Sequence, residues 1–267
     1  MRGLLDIYRA QLKTSLAIEM QYRASLAIWL LGTILEPVIY LTVWATVAQS
    51  SGGEVGGYTA SGFAAYFIVL MIVNHLTFSW IMWEYEYYIR QGLLSPLLLR
   101  PAHPIHKDLA DNLAYKTLTL VILIPVTLML IVLFRPTLDT SPWAVVAFVP
   151  ALVLAFAVRW VFEWTLAMSA FWTTRISAVN QVYFAALLFF SGRIAPLDLM
   201  PPAIQTIAYF LPFRWMIYFP AELILGQVSP RDALIGFGAQ IGWFLVGLAL
   251  LRVVWRAGIR RYSGVGA

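Results

Sequence analysis

The chain has 267 residues, 61% of them hydrophobic and only 12% charged, where a soluble domain carries about 25% charged residues. Apolar runs recur from residue 24 to residue 255, more apolar surface than a water-soluble core can hide, so lipid is the solvent for much of the chain. It contains no cysteine, which excludes disulfides and thiolate metal sites, and its net charge of +5 fits loops beside anionic lipid rather than a basic nucleic-acid-binding domain.

Residues 1–23 carry no signal-peptide pattern of a short apolar core and small-residue cleavage site. Arg2, Asp6, Arg9 and Lys13 step along one helical face, and Leu5, Tyr8, Leu12 and Leu16 along another. That spacing predicts an amphipathic helix lying at the membrane surface, with a solvated extension of the first span as the alternative.

Five stretches meet the requirement of about 20 largely apolar residues for a spanning helix: Ala24 to Ala48, Ala60 to Trp83, Thr117 to Phe134, Trp143 to Phe162, and Leu234 to Trp255. Ile176 to Gly192 is shorter and carries Asn180 and Gln181; it crosses only if its first turn begins within Trp172–Arg175. The expected fold is therefore an all-α integral membrane protein of six transmembrane helices, a single transmembrane domain over residues 1–267.

Basic residues set the orientation. Arg2, Arg9, Lys13 and Arg23, then Arg90, Arg100, Lys107 and Lys116, then Arg252, Arg256, Arg260 and Arg261, with Arg175, give thirteen on one side. Arg135, Arg193, Arg214 and Arg231 give four on the other. The positive-inside rule puts both termini in the cytoplasm of a plasma (inner) membrane protein. Arg159 is expected to snorkel or to pair with Glu163 one turn later. Trp80, Trp83, Tyr85, Tyr87 and Tyr88, with Trp160, Trp164 and Trp172, read as interfacial anchors.

The connection over residues 84–114 then faces the cytoplasm. Gly92 and Pro96 bracket a short apolar piece, and Pro101 and Pro104 stop whatever helix precedes them. Leu93, Leu94, Leu97, Leu98 and Leu99 predict a short helix that buries its apolar face on the protein's own helix ends, on a docking partner or on the headgroups; the pattern alone leaves these open.

Residues 193–233 are extracellular in this topology yet strongly apolar. Pro201 and Pro202 suit the first turn of a helix running to about Phe210, and Pro212 breaks it before a second helix that ends near Leu225. Each piece is too short to cross. A re-entrant helical hairpin between spans five and six, dipping into the outer leaflet, satisfies the apolarity, the lengths and the prolines together.

The pattern Ser191-Gly192, Pro196, Leu199-Met200-Pro201, then Leu211-Pro212-Phe213 before a final span resembles the membrane subunit of ABC-2-type exporters, as does the run Gly92 to Pro101. The resemblance covers nearly the whole chain in architecture, and at residue level rests on 90–104 and 191–214. It implies that the segment containing Arg90, Gly92, Leu93, Leu94, Ser95, Pro96, Leu97, Arg100 and Pro101 is the coupling helix of the family, seated on nucleotide-binding ATPase subunits. It implies a gate at Gly192, Pro196, Pro201, Pro202 and Pro212, and a path formed with a second permease, the same or a paralogous chain.

The chain has no Gly-x-x-x-x-Gly-Lys-Ser/Thr phosphate loop, so ATP and magnesium are expected on the partner ATPase. Two other classes fit the residues less well. A membrane-embedded lipid-modifying enzyme would draw on His103, His106, Asp108 and Asp111, but their spacing is not that of a His-Glu-x-x-His helix, Pro104 argues against a regular helix there, and no Gly-x-Ser-x-Gly turn occurs. A secondary transporter would show internal repeats and mid-membrane charges. Glu36, beside Pro37, is the carboxylate placed for that, and reads better as an intramembrane polar contact in a dimer interface.

Overall fold

The computed structural model describes residues 2–173 and 176–262, with the side chains of residues 2–5 and 23 outside that description. Arg175 and the side chains of Arg2, Leu5 and Arg23, counted above, therefore lie outside the described residues. The regular structure of the described residues is helical apart from one short hairpin, β1 (Glu54–Val55) and β2 (Tyr58–Thr59), whose antiparallel register pairs Glu54 with Thr59.

The helices in chain order are α1 (Arg2–Gln21), α2 (Arg23–Ser50), α3 (Ala60–Thr77), α4 (Ile81–Arg90), α5 (Leu94–Leu98) and α6 (Pro104–Phe134). Then come α7 (Pro142–Ala167), α8 (Ser177–Phe190), α9 (Pro202–Phe210), α10 (Phe219–Ile224) and α11 (Pro230–Arg261). Proline opens α6, α7, α9 and α11, where its missing N–H costs nothing and its fixed φ suits the first turn. Pro37, Pro125 and Pro150 sit inside α2, α6 and α7.

Among the described residues, five helical stretches are long and apolar enough to cross a membrane: Ala24–Ser50, Ala60–Arg90, Pro104–Phe134, Pro142–Phe171 and Pro230–Arg261. This is an all-α, multi-pass membrane protein. α8 has 14 residues, about 21 Å at 1.5 Å per residue, and is short of a full crossing. Thr173 precedes it in non-helical backbone and α8 starts at Ser177, so the expected extension back toward Trp172 is not helical at its described end.

The packing is that of a protein turned toward lipid. α3 is apolar nearly all round and is buried on nearly all sides, against α2, α6, α7 and α10. The surrounding helices expose their large aliphatics outward: Ile28 and Leu35 on α2, Val121 and Val132 on α6, Val146 on α7, Val253 on α11. α7 and α11 form the most extensive helix pair, and glycines let them and their neighbours close up. A Cβ at Gly236 would fall 2.2 Å from the Phe219 ring, and one at Gly258 2.2 Å from Phe171.

Two features differ from the sequence-based expectation: the helix opened by Pro104 and the burial of three aromatic residues. α6 begins at Pro104, so Pro104 opens a helix and much of the 84–114 connection is helical. Lys107, Asp108 and Asp111 thus lie on a regular helix. Tyr85, Trp160 and Trp164 are core residues rather than interfacial anchors, because the Tyr85 hydroxyl and the Trp164 indole N–H both donate to the buried carboxylate of Asp108, at 2.9 and 3.1 Å.

The turn before α11 depends on Gly226, which has a φ of +75° and whose added Cβ would lie 2.0 Å from the backbone oxygen of Asp139. Gly226→Ala should destabilise the protein by about 2 kcal/mol or more, read as a lowered thermal midpoint in detergent. Gly52→Ala, with a φ of +91° but open space around it, should lower the midpoint less.

Candidate functional site

Among the described residues lies a cavity of about 880 Å³, at the upper end of the range for small-molecule sites. α2 contributes Trp29, Gly32, Thr33 and Glu36; the α3–α4 junction contributes Asn74, His75, Phe78, Trp80 and Trp83. Gln181, Phe184 and Leu188 of α8, and Arg193 beyond it, close the remaining wall.

An aromatic shelf lines the half of the cavity near the start of α2. Trp80 meets Trp29 edge-on at 4.9 Å between centroids and lies 5.0 Å from Phe78 and 5.2 Å from Trp83. Trp83 stacks on Phe184 at 5.0 Å. Two turns along α2, Glu36 Oε2 accepts from Arg193 Nη2 at 2.5 Å. The Glu36 side chain is 37% exposed, that of Arg193 only 16%. The sequence placed Glu36 as an intermolecular polar contact; in the structure it has a partner within its own chain.

Between α3 and α4 the helix is interrupted at Phe78–Trp80, a break that the continuous apolar run had concealed. An interruption exposes backbone groups that lipid cannot satisfy. Here polar side chains take over that role. Lys116 Nζ and Asn112 Nδ2 donate to the Phe78 carbonyl at 2.5 and 3.3 Å. Arg159 Nη1 donates to Asn74 Oδ1 at 2.9 Å and to Thr77 Oγ1 at 3.0 Å, while its Nε pairs with Glu163 Oε1 at 2.7 Å. Glu163 also accepts from Ser79 and, at 3.2 Å, from the Tyr183 hydroxyl. Arg159 and Glu163 are both 0% exposed. Arg159 therefore pairs with Glu163 and does not snorkel.

A second polar set holds the stretch between α8 and α11. The Tyr66 hydroxyl donates to the Gly192 carbonyl at 2.6 Å, and Trp44 Nε1 to the Ile194 carbonyl at 2.8 Å. Tyr66 and Trp44 each lie six residues inside their helix ends, about 9 Å. Gly192 has a φ of +79° and no room for a Cβ, which would lie 2.4 Å from the Tyr66 hydroxyl. Beyond it, Pro196 precedes a short turn of 3-10 helix (Leu197–Leu199), Pro201 and Pro202 cap and open α9, and Pro212 starts the next helix, which contains a π-helical segment (Arg214–Tyr218). The Trp215 carbonyl and the Ala151 carbonyl both accept from Gln240 Nε2, at 2.9 and 3.0 Å. Arg214 pairs with Glu222 at 3.0 Å, and Tyr218 donates to Asp198 at 3.1 Å. Burial, reinforced by the Asp198 carboxylate, pushes the Tyr58 phenol well above its ordinary range.

At the end of the molecule shared by α5 and the close of α11, Arg90 pairs loosely with Glu86 at 3.4 Å. Gly92 terminates α4 with a φ of +70°. α5 buries Leu94 and Leu97, and Ser95 Oγ bonds the Tyr262 hydroxyl at 2.9 Å. Leu93, Pro96, Leu99, Arg100 and Pro101 stay exposed, Leu99 at 88%. The leucines thus divide between the protein's own helix ends and an open stripe three residues apart.

The candidate enzyme residues are each engaged elsewhere. His103 packs on Trp164 and Trp255, and burial, then His106, pushes its imidazole pKa down. His106 Nδ1 bonds the Tyr8 hydroxyl at 2.9 Å; Asp108 takes Tyr85 and Trp164 as above. Asp111 accepts from Ser15, from Gln11 at 3.0 Å and from Lys107 at 2.6 Å. His106 and Asp111 thus dock α1 on α6, so the face of α1 carrying Tyr8, Gln11 and Ser15 meets protein.

The sequence reading missed the cavity and the network around Arg159. The available signal was the polar run Asn74, His75, Thr77 and Ser79 inside an apolar span, facing Lys116 on the next helix.

A family model described as ABC-2 family transporter protein matches residues 34–266. No curated protein matches the chain.

Removing one member of the Arg159–Glu163 pair leaves the other charged and buried. Arg159→Met should cost about 3–5 kcal/mol, and the double variant with Glu163→Gln should recover part of that loss; a thermal-unfolding cycle in detergent reads the difference.

Proposed function

The chain belongs to the ABC-2 transporter family, and on that premise we propose that it is the permease subunit of an ATP-driven exporter, working as a dimer with separate ATPase chains. The permease role itself follows from the family and from the apolar spans; export, dimerisation, coupling and topology are what is proposed. The observation that carries coupling is the exposed stripe Leu93, Pro96 and Leu99, flanked by Arg90 and Arg100, on a helix whose other side is anchored by Leu94, Leu97 and Ser95. A rigidly mounted helix with an apolar outer stripe suits helix-in-groove docking. ATP and magnesium belong to that partner.

Both termini are read as cytoplasmic, from the basic residues, in the plasma (inner) membrane. Six crossings follow if α8 is counted together with the stretch that continues it. α8 ends near the middle of α2, since Arg193 reaches Glu36, twelve residues after Ala24. α9 and the helix through α10 fill the space above it. Gln240, ten residues into α11, and Ala151, nine residues into α7, meet the Trp215 carbonyl about 14–15 Å from their helix ends, near half the hydrocarbon thickness. The Ile224 carbonyl, by contrast, bonds Thr140 at the very start of α7. This supports a re-entrant hairpin over residues 193–233, capping the outer exit. The cavity between α2, α4 and α8 is then the chain's share of the translocation path, open to a second permease and to membrane lipid.

Leu93→Asp and Leu99→Asp should each weaken co-purification with the ATPase chain by roughly tenfold or more, as loss of a buried apolar anchor does, without shifting the permease's thermal midpoint. Deleting Gly92 to Leu99 should abolish it. Substrate turnover by the isolated chain, with no ATPase present, would refute the proposal.

A further inference from the structure

The cavity wall is unevenly equipped for charge. Glu36 presents its more exposed carboxylate to the hollow, and only Oε2 is taken up, by Arg193; Oε1 has no partner among the described residues. Pro37 follows it inside α2. Proline has no N–H, so the donor that the Thr33 carbonyl would accept one turn earlier is missing, and Thr33 also lines the cavity. Two acceptors therefore lie on the same stretch of α2. Trp29 on the same helix, and Trp80 and Trp83 from the α3–α4 junction, line the hollow with indole rings, whose quadrupoles attract positive charge.

Of the basic groups nearby, Arg193 lines the cavity and is held by Glu36. Arg159 lies behind the lining; Glu163, Asn74 and Thr77 hold its Nε and Nη1, and its buried Nη2 has no partner among the described residues. An anion drawing Arg193 away would leave Glu36 unpaired in a mostly apolar hollow. A cation joining Oε1 leaves the existing pair intact, and it meets the more exposed member of that pair, Glu36 at 37% against Arg193 at 16%.

We infer that the cavity binds a lipophilic organic cation, its charge against Glu36 Oε1 and the Thr33 carbonyl, its apolar body on Trp29, Trp80 and Trp83. This rests on the reading of the cavity as part of the transport path, and it names the substrate class of that site.

The test uses the full chain in lipid nanodiscs, with tetraphenylphosphonium and the isosteric anion tetraphenylborate as probes and empty discs as the partition control. Saturable binding of the phosphonium in preference to the borate is expected. Glu36→Gln should weaken phosphonium binding roughly tenfold or more, Glu36→Asp should keep most of it, and Trp80→Ala should weaken it several-fold. Gly32→Trp should block it, because a side chain at Gly32 projects into open space. An unchanged thermal midpoint shows that each variant is folded. Phosphonium affinity unaltered by Glu36→Gln, or no saturable phosphonium binding, would overturn the inference. Preferred borate binding that Gly32→Trp removes would overturn the cationic class and leave the cavity standing. Saturable binding of either ion that Gly32→Trp leaves untouched would sink the cavity reading itself.

Discussion

A charged pair with no access to water organises this protein. Arg159 and Glu163 sit one turn apart on α7, fully buried, and between them they bind α3, the α3–α4 break and α8. In an apolar solvent a lone charge or an unpaired carbonyl is costly enough to dictate what surrounds it. Counting from the opposite helix ends, Arg159 lies seventeen residues into α7, Ser79 nineteen beyond the start of α3, and Lys116 eighteen from the end of α6. Those distances agree, so three helices bring their polar groups to one level. The interruption at Phe78–Trp80 is possible because that level is polar.

The break in turn shapes the cavity. A continuous helix from Ala60 to Arg90 would carry Trp80 and Trp83 along a straight axis. The interruption re-aims α4, letting those rings face Trp29 and Phe184 across a hollow. The same logic recurs in the stretch after α8. There Gly192 turns the chain beneath Tyr66, and Arg193 is carried to Glu36. Both departures from regular helix border one cavity, and both are held by hydrogen bonds from neighbouring helices. Such sites, where regular structure is given up, are where an ABC-2 permease has the means to bind and to move.

The end bearing α5 is built by the opposite principle. α1 docks on α6 through Tyr8, Gln11 and Ser15, and α5 is pinned by Leu94, Leu97 and Tyr262. Rigid mounting there leaves the outward leucine stripe as a stiff handle. In the proposed exporter, force applied to that handle passes through α4 to the break and so to the cavity wall.

Much of this was legible in the residues, for definite reasons. Apolar length determined the long helices, since nothing but a spanning helix accommodates twenty such residues. Pro202 marks a helix start and Pro212 the break between the two short helices, because a missing N–H acts locally wherever it occurs; Pro104 read as a stop, since proline ends one helix and opens another by the same missing donor. The Arg159–Glu163 pairing was readable from its one-turn spacing. What tertiary structure alone decided is which long-range partners meet. Arg193 with Glu36, Lys116 with the Phe78 carbonyl, and Trp29 with Trp80 are far apart in sequence and joined only by packing. Hydropathy averages over a window, so it records Ala60 to Trp83 as one span and hides a break whose carbonyls are satisfied from other helices. The sequence determined the solvent and the helices; the folded chain decided where polarity is gathered inside it, because in lipid each polar group must find its partner across the fold.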